Sequence, residues 1–451
     1  MTAKCNNDKR IEELVEIIKE KSFITPELYD KYKVKRGLRN KNGTGVLVGI
    51  TKIADVVGYE FIDGVKMPCE GDLKYRGYSL LDIVKDAEEN ERNIFEEVSY
   101  LLLFGSLPNR EQLDHYKGLL REMRTLPPSY LEDVILKTPG KNLMNKMMQS
   151  VLSLYVYDDC AEDTDTLNVL TQSLSLIAKM PLIMAYSFQG KRHYIDEYSL
   201  VIHRPIAEYN TAENILHMIR NNKKFTKEEV DILDILMVLH AEHGGGNNSA
   251  FATHVVSSAG TDTYSAITTA LGALKGPRHG GANLMAKAMI EDIKENISDW
   301  DDREELKLYL EKILKGEAFD RSGLIYGLGH AVYTKSDPRA VLLKERAEKL
   351  SKIKGYEDSF ALISAIEEIG GKLLTERRKI DYPTPANIDL YSGLVYEMLD
   401  IPQELYTPLF GLSRTTGWCA HRLEQIMDKK IMRPAYISLN APRQFVKLED
   451  R

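Results

Sequence analysis

From Leu80 to about Gly276 the apolar residues recur at helical spacing, and this run constrains the fold more than any other feature of the chain. Breaks fall at Leu107-Pro108, Pro127-Pro128, Thr138-Pro139-Gly140, Gln189-Gly190 and Arg204-Pro205, which cuts the run into helices of ordinary length. A helix stop followed by a new start is read at Leu107-Pro108-Asn109-Arg110-Glu111, and Thr226-Lys227-Glu228-Glu229 carries a Thr-x-x-Glu capping box. Such caps contribute about 1 kcal/mol each. The expectation is a mainly α protein built as a bundle of packed helices.

The N-terminal part differs in texture. Ile11 to Lys21 has a helical apolar stripe and is followed by a polar loop, Arg36 to Gly45. From Gly45 to Tyr78 the spacing is that of strands: Val46, Val48 and Ile50 alternate, and Tyr59, Phe61 and Ile62 precede Asp63-Gly64, a two-residue hairpin turn. Asp299 to Glu317 reads as a solvated amphipathic helix with Leu306, Leu308, Leu310, Ile313 and Leu314 on its apolar face. Asp337-Pro338-Arg339 opens a helix, and two further helical segments follow Asp389 up to about Lys430. The tail from Arg433 is expected to be extended.

Composition excludes several classes. With 451 residues the chain can hold two domains, or a large one carrying a smaller one. A net charge of -7 and a pI near 5.9 give no general attraction to nucleic acid, although a local basic pocket for phosphates remains open. The most apolar long window, Leu170 to Phe188, is interrupted by Gln172, Lys179 and Pro181, so no membrane span is expected. Met1 to Glu20 carries no signal or transit pattern. Cys5, Cys69, Cys160 and Cys419 have no metal-ligand spacing, and a reducing cytoplasm is expected.

Chemistry concentrates in one stretch. It begins His240-Ala241-Glu242-His243-Gly244-Gly245-Gly246-Asn247-Asn248-Ser249 and ends Lys275-Gly276-Pro277-Arg278-His279-Gly280-Gly281, two histidine-glycine sites read as one helix apart. Glycine beside imidazole lets backbone approach a ligand closely, which suits a pocket. At a spacing of three, His240 and His243 would share a helix face, the case for a zinc hydrolase. The His-Glu-x-x-His order of that class is missing. Neither glycine cluster has the Gly-x-x-x-x-Gly-Lys-Ser/Thr phosphate-loop pattern, and Gly327-Leu328-Gly329-His330 lacks the third glycine of a dinucleotide fingerprint. What remains is a scattered polar set: His243, His279, His330, Arg339, Asp389, Arg414 and Arg433. Taken singly, each histidine is more often a hydrogen-bonded core or surface residue.

Taken in order, the blocks around these residues resemble the citrate synthase family. The blocks are Leu239 to Ala250, Lys275 to Asn283, Gly327 to Arg339, Asn387-Ile388-Asp389-Leu390-Tyr391-Ser392-Gly393 and Gly411-Leu412-Ser413-Arg414, with Tyr75-Arg76-Gly77-Tyr78 and Phe95 to Gly105 as N-terminal landmarks. The resemblance implies a large helical domain of residues 1–276, including an extension over 1–44, and 383–451. A small coenzyme A-binding domain of 277–382 completes it, with the site in the cleft between. It further implies a cytoplasmic homodimer of the tricarboxylic acid cycle that condenses acetyl-CoA with oxaloacetate and hydrolyses citryl-CoA, with no metal and no tightly bound cofactor.

By the same resemblance Asp389 is the base, His279 holds the enol oxygen and His330 polarises the ketone. His243, Arg339, Arg414 and Arg433 bind oxaloacetate, with Arg433 reaching across to the partner subunit's site. Gly329, Ala331, Val332, Tyr333 and Lys335 meet coenzyme A. The chain departs from the family pattern at Gly244, commonly acidic, at Phe251, often histidine, and at Thr334, often basic. A 2-methylcitrate synthase using propionyl-CoA is the near alternative. A non-catalytic CoA-sensing helical scaffold is the alternative from another class.

Overall fold

The computed structural model describes residues 9–450; Cys5 and the first eight residues of the Met1–Glu20 segment lie outside the described residues. The chain divides into two units, residues 1–50 and residues 51–451. In the first, the stripe expected at Ile11 to Lys21 forms the helix Lys9–Ser22, followed by Pro26–Lys31 with its proline in the first turn, and a single 3-10 turn at Arg36–Leu38. The alternation of Val46, Val48 and Ile50 does not make a strand. Alternation is read as β only when one face is buried, and Leu47 and Ile50 are 96% and 97% exposed.

In the second unit, β1 (Ala54–Ile62) and β2 (Val65–Tyr75) form an antiparallel hairpin, with a register shift between Val57 and Tyr59. Asp63 and Gly64 make its turn at φ 50° and 77°, the doubly positive pair that matches the twist of the strands. A two-residue β3 (Tyr78–Ser79) closes a three-stranded sheet in the order β1-β2-β3.

Among the described residues, all other regular structure is helical. The Asn109 and Thr226 side chains both form complete capping boxes, with Gln112 and Glu229. Two long helices carry the core. Thr166–Tyr194 is capped by Asp165 and runs unbroken through Pro181 and through Gln189-Gly190, where a break was expected. Gly190 there lies against Leu136, so it serves packing rather than termination. By length and composition this helix could cross a membrane, but 78% of its apolar window is buried inside the protein. It packs on Tyr406–Asp428, which is buried around most of its circumference from Tyr406 to Leu423. In Arg303–Lys315 the core face is Leu306, Leu310 and Ile313, while Leu308 points outward at 58% exposure.

Backbone pairing sets up the site. Gly327 and Gly329 run antiparallel to Pro385–Asn387: the Gly329 N–H donates to Pro385 O at 2.7 Å, Asn387 N–H donates to Gly327 O at 2.9 Å, and Asn387 Nδ2 donates to Gly329 O at 3.0 Å. The loop before His330 is thereby registered on the turn before Asp389. Gly327 sits at φ 85°, and a Cβ there would lie 2.9 Å from Leu390 Cα. Gly327→Ala is expected to destabilise the fold by about 1–3 kcal/mol in urea denaturation, and to lower turnover by more than that loss of folded protein explains.

Candidate active site

The helix Lys227–Ala241 ends one residue before Glu242, whose backbone is extended. His240 and His243 therefore do not share a helix face, and the pairing that suggested zinc dissolves. His240 lies inside, stacked on Phe410 with centroids 4.2 Å apart. His243 turns the other way, into a cluster with His330, at 5.0 Å between centroids, and with the Tyr333 hydroxyl, 3.2 Å from its Nε2. Two helices, Asn248–Ser258 and Thr263–Lys275, separate His243 from His279, where one was expected.

Each remaining group is held by identifiable partners. The N–H groups of Val332 and Tyr333 donate to His330 Nδ1 at 3.1 and 3.2 Å, which puts the ring proton of a neutral His330 on Nε2. His279 Nε2 is 2.9 Å from Ser249 Oγ, which also accepts from Trp418 Nε1 at 3.1 Å. Arg339 is 4% exposed and doubly bonded to Asp337, Nε to Oδ1 at 3.0 Å and a terminal nitrogen to Oδ2 at 2.7 Å. Asp337 also caps the helix Pro338–Lys354 by accepting from the Arg339 N–H. Arg414, 1% exposed, donates from Nε to His240 O at 2.6 Å and stacks on Phe410, but its two terminal nitrogens are buried without a partner. Asp389 starts the helix Asp389–Met398; its Oδ1 is buried and unpaired.

Burial and the arginines set the protonation states. Burial, reinforced by Arg339, His330 and Arg414, holds His243 well below its ordinary value, and burial with Arg414 lowers His279 to about 4. Both are neutral at physiological pH. Burial pushes Asp389 up to about 7, with Arg339 opposing and Asp337 adding to the rise. Burial also lowers Arg414 to about 10, against the pull of Glu242, and leaves it charged. The site thus combines two guanidinium groups, neutral imidazoles and a carboxyl poised near neutrality, the combination expected of acid–base work on an anionic substrate.

Of the residues singled out in the sequence, His243, His279, His330, Arg339, Asp389 and Arg414 interact within one region through these contacts and fields. Arg433 is exposed on the extended tail, outside this chain's own cluster. Tyr333 is 3% exposed and faces His243. Ala331 and Lys335 are exposed, and Gly329 and Val332 half-buried. Thr334 is pinned to the hairpin, its hydroxyl donating to Gly58 O or to Cys69 O and accepting from Cys69 N–H. Sequence reasoning did not assign Asp337, Ser249, Trp418 or the Tyr333 hydroxyl. An aspartate two residues before a buried arginine was the one local signal among them.

The family described as "Citrate synthase, C-terminal domain" matches residues 42–435. The chain belongs to the citrate synthase family. It is 34% identical over 406 residues to the citrate synthase of Haloferax volcanii, covering 89% of this chain and 94% of that protein. It is 31% identical to the 2-methylcitrate synthase of Shewanella oneidensis, covering 84% and 92%. The solved citrate synthase of Thermoplasma acidophilum, in a ternary complex with carboxymethyl coenzyme A and oxaloacetate, superposes with a TM-score of 0.72 at 29% identity, covering 90% of this chain and 97% of that one.

The raised Asp389 value has a consequence for stability. A carboxyl whose folded value is raised favours the folded state when protonated; the penalty for ionising it grows as pH rises from about 4 to about 7 and is complete above that. Asp389→Asn removes the penalty. Its melting temperature should therefore exceed that of the wild type by more at pH 8 than at pH 5, as read by paired thermal melts.

Proposed function

We propose that this protein condenses acetyl-CoA with oxaloacetate and hydrolyses the resulting citryl thioester to citrate and free CoA. The observation that carries this reading is Arg414: a buried guanidinium with two unpaired terminal nitrogens, beside neutral histidines and near Arg339. Such a group calls for an anion, and a guanidinium fork suits a carboxylate. Oxaloacetate brings two carboxylates and a ketone. Arg414 and Arg339 take carboxylate oxygens, His243 supports them, and Arg433 serves the partner subunit's site from its exposed position on the tail. The long extended tail, with Tyr436 at 93% exposure, supports a homodimer in which the arm finds cover on the second copy.

The chemistry follows from protonation. Asp389, ionised, removes a proton from the thioester methyl, and His279 donates a hydrogen bond to the carbonyl oxygen as it becomes the enol. Ser249 Oγ, which donates to Asn247 Oδ1 and accepts from Trp418, lies 2.9 Å from His279 Nε2 and positions the ring for this. His330, protonated on Nε2, donates to the ketone oxygen of oxaloacetate; the enol carbon attacks the ketone carbon, and the proton reaches the new alkoxide. Water then cleaves the thioester and releases the thiol. Closure of a small domain over 277–382 excludes water until that step.

Coenzyme A is assigned to the face of the helix Pro338–Lys354 and the loop 380–386. A cavity of about 950 Å³ there is lined by Lys335 and Tyr382, and by Lys344, Lys372 and Arg303, which are paired with Glu367 and Glu368. Thr334 is occupied by the hairpin, so Lys335 is the cation assigned to the phosphates. The free thiols of Cys69, Cys160 and Cys419 are consistent with a reducing cytoplasm.

A thiol-release assay run with both acetyl-CoA and propionyl-CoA tests this. Oxaloacetate-dependent CoA release is expected, with the higher kcat/KM for acetyl-CoA; the opposite order makes the protein a 2-methylcitrate synthase, and no release from either donor leaves a CoA-binding scaffold. Arg414→Met is expected to raise the oxaloacetate KM at least a hundredfold, in line with the roughly 3–5 kcal/mol at stake when one partner of a buried ion pair is missing.

A further inference from the structure

Behind the catalytic cluster lies a second histidine pair that the proposed chemistry does not use. His421, 0% exposed, sits on the helix Tyr406–Asp428, and His254, 8% exposed, on Asn248–Ser258. His421 Nε2 is 2.9 Å from Glu242 Oε1, and His254 Nδ1 is 2.9 Å from Gln425 Oε1. Both outer nitrogens face acceptors and so carry the ring protons. The inner nitrogens, His254 Nε2 and His421 Nδ1, face each other across 3.0 Å. No water fits in that gap; only a proton or a metal ion can sit between them.

A third acceptor points to the same place. Glu424 Oε2 is buried without a partner, 3.9 Å from His421 Nδ1, while its Oε1 accepts from the Lys52 N–H at 2.7 Å. The ligand atoms of His254, His421 and Glu424 all lie within 4.8 Å of one another. We propose that His254, His421 and Glu424 form a binding site for one divalent transition ion of the zinc class. Two nitrogens and one oxygen match the ligand types that such ions take.

The surroundings suit that ion. Nitrogens about 2.0–2.1 Å from a tetrahedral centre stand roughly 3.3 Å apart, so the rings need to part by only a few tenths of an ångström from their present 3.0 Å. Glu242 and the Gln425 carbonyl receive the distal ring protons, the outer support that metal-bound histidines regularly have. Arg76 interacts electrostatically with Glu424. The Glu424 and Glu242 carboxylates together balance a 2+ charge.

The site is placed to stiffen the catalytic cluster rather than to react. His421 lies two turns beyond Arg414 on one helix, His254 follows Ser249 on another, and Glu242 precedes His243. A bound ion would clamp the three segments together.

The test uses the full-length protein, stripped with a chelator and dialysed against Zn²⁺ and, separately, Co²⁺. One equivalent per chain is expected, with a higher melting temperature in Zn²⁺ and the intense visible absorption of tetrahedral Co²⁺. Glu424→Gln, which keeps the acceptor for Lys52, and His254→Gln should each weaken binding at least tenfold and abolish the thermal shift. If His254→Gln fails to fold, Glu424→Gln alone decides. Absence of stoichiometric uptake by the folded wild type would overturn the site, and would mean that a proton joins the two rings in an ordinary hydrogen bond. Uptake unchanged in both variants would overturn it equally.

Discussion

Two guanidinium groups held out of water are the constraint around which this molecule is arranged. An uncompensated buried charge costs several kcal/mol, and Arg339 meets that cost with both oxygens of Asp337. Arg414 has only the His240 carbonyl and the face of Phe410. Their field, added to burial, keeps His243 and His279 neutral. Burial alone would raise Asp389 further, and Arg339 draws it back to a value near neutrality. The protonation pattern that the chemistry requires is thus one consequence of where two positive charges sit.

The bundle can hold that arrangement because its strong contacts cross between elements far apart in sequence. The Tyr75 hydroxyl at the end of β2 donates to the carbonyl of Val238 or Glu242, at 2.9 and 3.1 Å, and so ties the hairpin to the end of the helix Lys227–Ala241. The Thr334 and Ser336 hydroxyls pin the segment between His330 and Arg339 to β1 and β2, through Gly58, Cys69, Glu70 and Gly71. This sheet therefore acts as a brace for the loop that joins His330 to Arg339.

Features governed by nearest neighbours were legible in the sequence. The caps at Asn109, Thr226 and Asp337 and the turn at Asp63-Gly64 depend on a few residues each, and they occur where the spacing placed them. Features governed by burial were not. Val46, Val48 and Ile50 alternate without a sheet to receive them, Leu308 faces solvent, and Gln189-Gly190 looks like a stop but lies within a buried helix. The site divides in the same way. Asp389, His330 and Arg414 could be picked out by motif order, whereas the Ser249–His279, Tyr333–His243 and Glu242–His421 contacts join residues 30, 90 and 179 apart. No local pattern reports such pairs.

The pairing of Gly327–Gly329 with Pro385–Asn387 bears on how such a protein can change over generations. The link that registers His330 on Asp389 is made largely of main-chain groups, which every residue carries. The exposed side chains on one flank, Ala331 and Lys335, are therefore open to replacement without breaking that link. A lineage can try new acyl donors by altering pocket walls while its catalytic register is inherited intact, and relatives bearing two different activities at nearly equal distance from this chain are what that freedom would produce.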